Sequence, residues 1–333
     1  MNGPQTVVVT GASAGLGRAI AERFAREGAS VALIARGEKR LAMAKSSVES
    51  LGGIALTLSL DVADADAVMR AAERVEDELG PIDVWVNNAM VSVFSPVKSM
   101  RPEEYRRVTD VTYLGYVHGT LAALQFMLRR NRGVIVQVGS ALAHRSIPLQ
   151  SAYCAAKHAI AGFHASLRTE LLHEMSRVRT VMVQMPAMNT PQFDWVKSRL
   201  PYKPQPVPPI FQPEVGAEAV YYAAQHDVGR ELNVGWPTIM AVYGNKVAPG
   251  LGDRYLAAHG YAAQETHDLA DPNAPANLWE PAPGSWGAHG RFDNRSRTWS
   301  SEQYLYRRRH WLAATGMVLA IISLGAIAQR LRA

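Results

Sequence analysis

Short apolar runs alternate with longer amphipathic stretches from residue 6 to about residue 240. The apolar runs are rich in β-branched residues, and they predict strands at 6–10, 30–35, 55–59, 84–87, 133–139 and 180–185. The stretches between them predict helices, including those at 17–27, 38–51, 63–79 and 102–129. Strands that alternate with helices of this length form βαβ units. We therefore expect an α/β fold with a doubly wound, Rossmann-type parallel sheet and helices on both faces.

Two segments interrupt this alternation. Residues 189–213 contain seven prolines, and proline resists both helix and sheet, so we predict a lid or binding loop. Residues 249–301 are rich in Gly, Pro, Asn and Trp and have little periodicity, which predicts an irregular extension that wraps a surface. The expected organisation is a catalytic domain at 1–245, an irregular extension at 246–306 and a terminal helix at 307–333.

The terminal segment has a pattern of its own, because residues 311–328 contain no charged side chain. As a helix rising about 1.5 Å per residue it reaches roughly 27 Å, close to the hydrocarbon thickness of about 30 Å in a bilayer. Three arginines precede the run, at 307–309, and two follow it, at 330 and 332. This asymmetry predicts a transmembrane anchor with the catalytic domain on the cytoplasmic side. A helix buried between subunits of a soluble cytoplasmic protein has the same pattern, and that alternative stays open.

Composition narrows the class of protein. With 48% hydrophobic and 19% charged residues, a packed core is expected. The net charge of +6 has a local excess in the terminal arginines, and no basic stripe interleaved with aromatics precedes residue 240, so we expect no nucleic-acid partner. Cys154 is the single cysteine, which fits a reducing compartment. The first residues lack a basic region and a long apolar run, so we expect no signal peptide.

A glycine-rich segment follows the first strand and opens the first helix. Gly11 permits a tight turn, Gly15 lets the backbone approach a pyrophosphate, and Gly17 allows close packing of helix on strand. The helix N-terminus then presents free N–H groups to the phosphates, with Ser13 and Leu16 in the same loop. The context predicts a dinucleotide site.

The end of the second strand bears on the choice of dinucleotide. An acidic residue at this point bonds the ribose 2′-hydroxyl of NAD, whereas an arginine accommodates a 2′-phosphate. The chain has no acid at 34–36, and Arg36 lies where that phosphate is expected. The charge favours NADP(H) over NAD(H) as cofactor.

A tyrosine and a lysine at i and i+4, Tyr153 and Lys157, share one helix face. Free tyrosine has a pKa of about 10, and a nearby ammonium lowers it towards the range needed for proton transfer. Ser140 ends the preceding strand and is placed to bond the same substrate oxygen. The three side chains predict an acid–base site for an alcohol or carbonyl group.

Together these motifs resemble the short-chain dehydrogenase/reductase family from about residue 5 to residue 240. The matching positions are Thr10-Gly11-x-x-x-Gly15-x-Gly17, Asp61-Val62, Asn87-Asn88-Ala89, Ser140, Tyr153-x-x-x-Lys157, and Pro186 with Thr190. The resemblance implies that Asp61 contacts adenine, with Val62 beside it, and that Asn88 and Ala89 lie next to the adenosine. It also implies that Lys157 binds the nicotinamide ribose and that Thr190 contacts the nicotinamide end.

Three positions depart from the family pattern. Met90 stands where the family has glycine after Asn-Asn-Ala, and Ala187 where it has glycine after proline. Thr112 stands where the family has an asparagine whose backbone carbonyl holds a water of the proton relay. A threonine keeps a backbone carbonyl, so we include Thr112 among the catalytic positions.

The predicted function is an NADP(H)-dependent oxidoreductase that interconverts an alcohol and a ketone or aldehyde, with Tyr153 as general acid and base. The alternative is a weakly active or non-catalytic nucleotide-binding scaffold or redox sensor, which the substitution at Thr112 favours. We expect a small-molecule substrate, lipophilic if the membrane anchor is real, and a homo-oligomer.

Four histidines near the site, at 144, 158, 164 and 173, lack metal-ligand spacing, so we expect no metal. Cys154 is expected to pack as a small hydrophobe.

Overall fold

A seven-stranded parallel sheet forms the centre of a computed structural model that describes residues 4–308. Its strands are β1 (Thr6–Thr10), β2 (Ser30–Ala35), β3 (Ile54–Ser59), β4 (Ile82–Asn87), β5 (Gly133–Ser140), β6 (Val178–Met185) and β7 (Glu231–Asn233). They lie in the order β7-β6-β5-β4-β1-β2-β3. The predicted fold class is confirmed. The six predicted strands are all present, whereas the short edge strand β7 was not predicted.

Helices cover both faces of the sheet. They are α1 (Gly15–Ala25), α2 (Glu38–Ser50), α3 (Ala65–Glu78), α4 (Pro102–Thr109), α5 (Gly115–Arg130), α6 (Ser151–His173), α7 (Gln192–Trp195), α8 (Pro213–Gln225), α9 (Trp236–Val247), α10 (Pro249–His259) and α11 (Ser301–Arg307). On one face α1, α2 and α8 pack on Val7 and Val9 of β1, and on the other α3, α5 and α6 share a core with Val8. Because both faces are buried, the strands read as nearly continuous apolar runs.

The helix predicted at 102–129 is present without a gap, but it is not α-helical throughout. Between α4 and α5 the residues Asp110–Leu114 form a π-helical segment, in which the N–H of Gly115 bonds the carbonyl of Asp110 five residues back. Such a segment changes the direction of backbone groups within a helix, and it often lies at a functional site. Periodicity alone does not reveal it, because the apolar positions continue through the insertion.

The proline-rich segment and the extension contain more regular structure than predicted. Residues 189–213 include α7 and short strands at Lys197–Ser198, Tyr202–Pro204 and Ile210–Phe211. The extension begins with α10, and its strand Glu265–Leu269 pairs antiparallel with Tyr202–Pro204. Only the part from about residue 270 to residue 292 lacks helix and strand. The expectation of an irregular extension is therefore right for that part and wrong for its start.

No helix within residues 4–308 has the length and apolar character needed to cross a membrane. The run predicted as a transmembrane helix, residues 311–328, lies outside the described residues.

Candidate active site

The glycine loop joins β1 to α1 in a conformation that depends on its glycines. Gly11 has φ +68°, and a Cβ there would lie 2.9 Å from the Cα of Ala89. A Cβ at Gly17 would lie 2.3 Å from the carbonyl oxygen of Gly11, so a larger residue would force the loop and α1 apart. The loop therefore packs closely, with room beside it for a ligand.

Thr10 ties this loop to the end of β4. Its hydroxyl accepts hydrogen bonds from the N–H groups of Asn88 (2.9 Å) and Ala89 (3.1 Å). The side-chain amide of Asn88 donates to the carbonyl of Thr10 at 2.9 Å. The two motifs are separated by more than 70 residues in sequence, and they form one wall.

The predicted acid–base residues meet at the C-terminal end of β5. Ser140 ends the strand, and Tyr153 and Lys157 lie one turn apart on α6. A side-chain hydrogen bond joins Ser140 to Tyr153 and lowers the tyrosine pKa, but burial has the larger effect and raises that pKa above its usual value. In the cofactor-free protein the phenol is therefore held protonated.

Lys157 bonds groups that the sequence analysis did not identify. Its ammonium donates to the carbonyl of Val138 at 2.7 Å and to the hydroxyl of Tyr116 at 3.0 Å, and that hydroxyl donates to Val138 as well. Lys157 is 2% exposed, and burial lowers its pKa to about 7. The ammonium lies 5.5 Å from the centre of the Tyr153 ring, and the lowering of the Tyr153 pKa by its charge stays a prediction. Tyr116 lies one turn beyond Thr112, which is the only sequence signal for its placement.

Thr112 lies in the π-helical segment and is fully buried. Its hydroxyl accepts from the N–H of Val91 at 3.1 Å and donates to the carbonyl of the same residue at 2.9 Å. The Thr112 hydroxyl thus satisfies both the backbone N–H and the backbone carbonyl of Val91. An asparagine amide carries the same pair of donor and acceptor, so threonine reproduces this contact with one hydroxyl.

One cleft of about 380 Å³ connects the glycine loop to the acid–base residues. All predicted site residues line it except Thr112, which lies behind Val91 and Val111: Gly11, Ser13, Gly15, Leu16, Gly17, Arg36, Asp61, Val62, Asn88, Ala89, Ser140, Tyr153, Lys157 and Thr190. The remaining lining comes from the ends of the central strands and the loops that follow them, from the proline-rich segment and α9, and from Asn277 of the extension.

At the far end of the cleft the predicted Arg36 is bound by the extension. Its Nη1 donates to the carbonyl of Trp279 at 2.6 Å and its Nη2 to that of Asn277 at 2.5 Å. Asp61, 3.9 Å from Arg36, forms a closer ion pair with Arg107. Asp61 and Arg36, which the sequence analysis treated separately, thus belong to one cluster of charges.

Arg40 lines the same end and was missed by the sequence analysis. It is 9% exposed, and its side chain forms no hydrogen bond or ion pair with any other residue in 4–308. Its guanidinium nitrogens lie 3.3 and 3.4 Å from where a Cβ of Gly37 would be, and the Trp195 ring lies 5.2 Å away. A solvated helix arginine has the same sequence pattern, so the sequence does not reveal that this cation is buried.

His164, His144 and Cys154 are packed among residues of the fold. His164 is buried between Thr180 and the carbonyl of Arg230, and burial lowers its pKa to about 4. His144 lies against Gln184 and Glu231. Cys154 is buried, and burial raises its pKa.

A family model described as short chain dehydrogenase matches residues 5–199, more than half of the chain. The chain belongs to the short-chain dehydrogenase family. The resemblance found in the motifs is confirmed, and with it membership of a family of oxidoreductases.

Relatives within this family extend the comparison. YxnA, an uncharacterized oxidoreductase of Bacillus subtilis (strain 168), is 30% identical over 321 residues, covering 96% of this chain and 89% of its own. A fatty acyl-CoA reductase of Acinetobacter baylyi is 29% identical over 221 residues, 66% of this chain and 72% of its own. Other relatives align over about half of this chain and about half of their own length.

Among solved structures, an alcohol dehydrogenase from the archaeon Thermococcus sibiricus complexed with 5-hydroxy-NADP is similar to this short-chain dehydrogenase. The TM-score is 0.60 at 28% identity, over 69% of this chain and 95% of the other.

The buried Lys157 makes stability depend on pH in a defined direction. Its folded-state pKa of about 7 lies below the unfolded value of about 10.4, so between these values the unfolded chain binds more protons and stability rises with pH. Relative to Lys157→Met, the cofactor-free wild type should gain up to about 1.4 kcal/mol per pH unit from pH 7 to pH 9. Urea unfolding of both proteins across this range measures the difference. A difference that stays flat or falls would contradict the burial of the ammonium.

The hydroxyl of Thr112 should be required for the π-helical segment. Thr112→Val keeps the shape but leaves the N–H and carbonyl of Val91 unpaired and buried, at a cost of about 1–3 kcal/mol per group. Thr112→Asn restores a donor and an acceptor and should unfold close to the wild-type temperature. Calorimetry compares the three proteins. If the valine variant is as stable as the wild type, the proposed role of the hydroxyl is wrong.

Proposed function

We propose that this short-chain dehydrogenase is an NADP(H)-dependent enzyme that interconverts an alcohol and a ketone or aldehyde. The observation that carries the proposal is the single cleft in which Ser140, Tyr153 and Lys157 share a wall with the glycine loop. The close packing at Gly11 and Gly17 fits a dinucleotide, because a side chain at either position would meet backbone atoms.

The residues that would hold the dinucleotide lie along the cleft. The N-terminal end of α1, with Ser13, Gly15 and Leu16, would bind the pyrophosphate, and Asp61, Val62, Asn88 and Ala89 would flank the adenosine. Thr190 and Lys157 would hold the nicotinamide end. When bound, NADPH supplies the hydride for reduction of a carbonyl carbon.

Side chains of the protein carry out the proton transfer. Ser140 donates a hydrogen bond to the carbonyl oxygen and orients it, and the Tyr153 hydroxyl gives that oxygen a proton as charge develops. In oxidation Tyr153 takes the proton back. Lys157 donates to Tyr116 and Val138 and lines the cleft, and its positive charge would favour the phenolate form of Tyr153.

The preference for NADP(H) over NAD(H) rests on Arg40. The Arg40 side chain lines the cleft without an ionic partner among residues 4–308, and a 2′-phosphate would supply the opposite charge and hydrogen-bond acceptors. Burial lowers the pKa of Arg40. The similar Thermococcus sibiricus enzyme was solved with 5-hydroxy-NADP, which supports the same assignment.

A lipophilic substrate is proposed from the walls of the cleft near Tyr153. They are formed largely by apolar side chains, including Leu142, Ile147, Met188, Phe193 and Val207. A relative is a fatty acyl-CoA reductase, which supports the same substrate class. Membrane attachment through residues 311–328 stays a prediction from the sequence.

The rival proposal of a non-catalytic scaffold depends on the substitution at Thr112. Thr112 keeps the backbone carbonyl that the resemblance assigns to the relay, and its hydroxyl fixes the π-helical segment to Val91, which favours the enzyme.

Removing one phenolic oxygen should abolish most turnover. Tyr153→Phe keeps the ring but not the proton, so kcat should fall at least about a hundredfold while the Kd for NADPH changes little. The matched control is Tyr105→Phe, which removes a hydroxyl bonded to Ser151 on the same helix but away from the cleft lining. Steady-state reduction of a reactive carbonyl measures both. Near wild-type turnover in the Tyr153 variant would refute the mechanism.

Charge removal at Arg40 should affect only the phosphorylated cofactor. Arg40→Gln should weaken NADPH binding by about tenfold or more, because a charge-assisted hydrogen bond contributes about 1.5–3 kcal/mol, and should leave NADH binding nearly unchanged. Lys39→Gln makes the same change of charge on the neighbouring exposed residue and should change neither. Fluorescence titration of the wild type and the two variants gives the six constants. Equal loss of both cofactors, or tighter binding of NADH by the wild type, would contradict the assignment.

A further inference from the structure

We propose that residues 277–291 of the extension, here called the cover segment, border the cofactor site and hold Arg36 in position for a 2′-phosphate. The inference rests on the proposed function and assigns a role to a part of the chain beyond the family match, which ends at residue 199.

Three successive residues of the cover segment bind the charged cluster at the adenosine end. The carbonyls of Asn277 and Trp279 accept from the two Nη atoms of Arg36, and the carbonyl of Leu278 accepts from Nε of Arg107 at 2.9 Å. Carbonyls fix the direction of a guanidinium without neutralising it. Arg36 therefore keeps its full charge in a set orientation beside the cleft.

The charges in this cluster leave a positive excess. Burial has the largest effect on the Arg36 pKa and lowers it; among the charged groups around it, Arg40 and Arg107 also lower the pKa, and Asp61 and Glu280 raise it. Three guanidinium groups thus face two carboxylates, which leaves an excess of positive charge. A nucleotide 2′-phosphate between Arg36 and Arg40 would more than offset this excess.

A hydrophobic anchor holds the cover segment at this place. Leu278 is 1% exposed and belongs to the same core cluster as Val62, Val108 and Val111. Its side chain is inserted into the domain while its two neighbours present their carbonyls to Arg36. Pro281 follows, with its Cβ 3.5 Å from where a Cβ of Gly37 would be.

The rest of the cover segment crosses the other cofactor-binding positions. The carbonyl of Gly287 accepts from the N–H of Gly15 at 3.0 Å, beside the pyrophosphate end. The N–H of Gly290 donates to the carbonyl of Asn189 at 3.2 Å, and a Cβ at Gly290 would lie 2.6 Å from the carbonyl oxygen of Thr190. The segment therefore contacts residues from the adenosine end to the nicotinamide end of the cleft.

Hydrogen–deuterium exchange of the full-length wild type tests this directly, with no cofactor, with saturating NADPH and with saturating NADH. NADPH should slow exchange of amides in residues 277–291, and NADH should slow those at 277–281 less, because it lacks the phosphate. Exchange in this segment that does not respond to bound NADPH would overturn the proposal.

Anchor variants give the second measurement. Leu278→Ala should raise the Kd for NADPH by about tenfold or more and shrink the preference over NADH, since tenfold equals about 1.4 kcal/mol of lost positioning. Leu171→Ala is the matched control, because Leu171 is a buried leucine of the same core cluster on the far end of α6. It should lower stability but leave both Kd values unchanged. If Leu278→Ala fails to fold, Leu278→Val makes the same test with a smaller cavity.

The outcomes separate this inference from the proposed function. If the wild type does not bind NADPH, the proposed function fails. If the wild type binds NADPH tightly but neither the exchange in the cover segment nor the Leu278 variants respond, the cover segment has no such role and the proposed function stands.

Discussion

The site depends on keeping a lysine ammonium buried behind the cleft. Removing such a charge from water is costly unless its N–H groups find acceptors, and Lys157 finds them in Val138 and Tyr116. Val138 lies in a strand that is buried on both faces, and Tyr116 is placed by the helix that follows the π-helical segment. The parallel sheet, the π-helical segment and the hydroxyl of Thr112 therefore all contribute to the position of one cation.

A second cation lines the opposite end of the cleft. The Lys157 ammonium is bonded within the protein, whereas the Arg40 guanidinium lies near Gly37 and Trp195 without an acceptor among residues 4–308. We propose a different task for each. Lys157 would act through its charge on Tyr153, and Arg40 would bind the 2′-phosphate. The extension belongs to this second task, since its carbonyls engage Arg36 beside Arg40 and its leucine anchors it in the core.

Much of the fold could be predicted from the sequence, because strands buried on both faces have a nearly continuous apolar pattern that few other structures share. The glycine loop, Ser140, Tyr153 and Lys157 were identifiable because their chemistry requires fixed residue types at fixed spacing. Tyr116 and Arg40 were not, since their roles arise from burial and from contacts across long sequence separations. The π-helical segment was missed because one inserted residue barely alters an apolar stripe. The extension has no periodic pattern of apolar residues. Its contacts with Arg36 and Arg107 are made by backbone carbonyls, which every residue type has, so the sequence does not reveal them.

We propose that hydride passes between the dinucleotide in this cleft and a carbonyl carbon beside Tyr153. The most direct measurement supplies NADPH deuterated at C4 of the nicotinamide to the full-length protein with sterol-like ketones, long-chain carbonyls and small quinones. Mass spectrometry then follows the label. The account predicts an alcohol that carries one deuterium on the former carbonyl carbon, with loss of the label from the cofactor. Tight binding of NADPH with no labelled product from any carbonyl in the panel would contradict it.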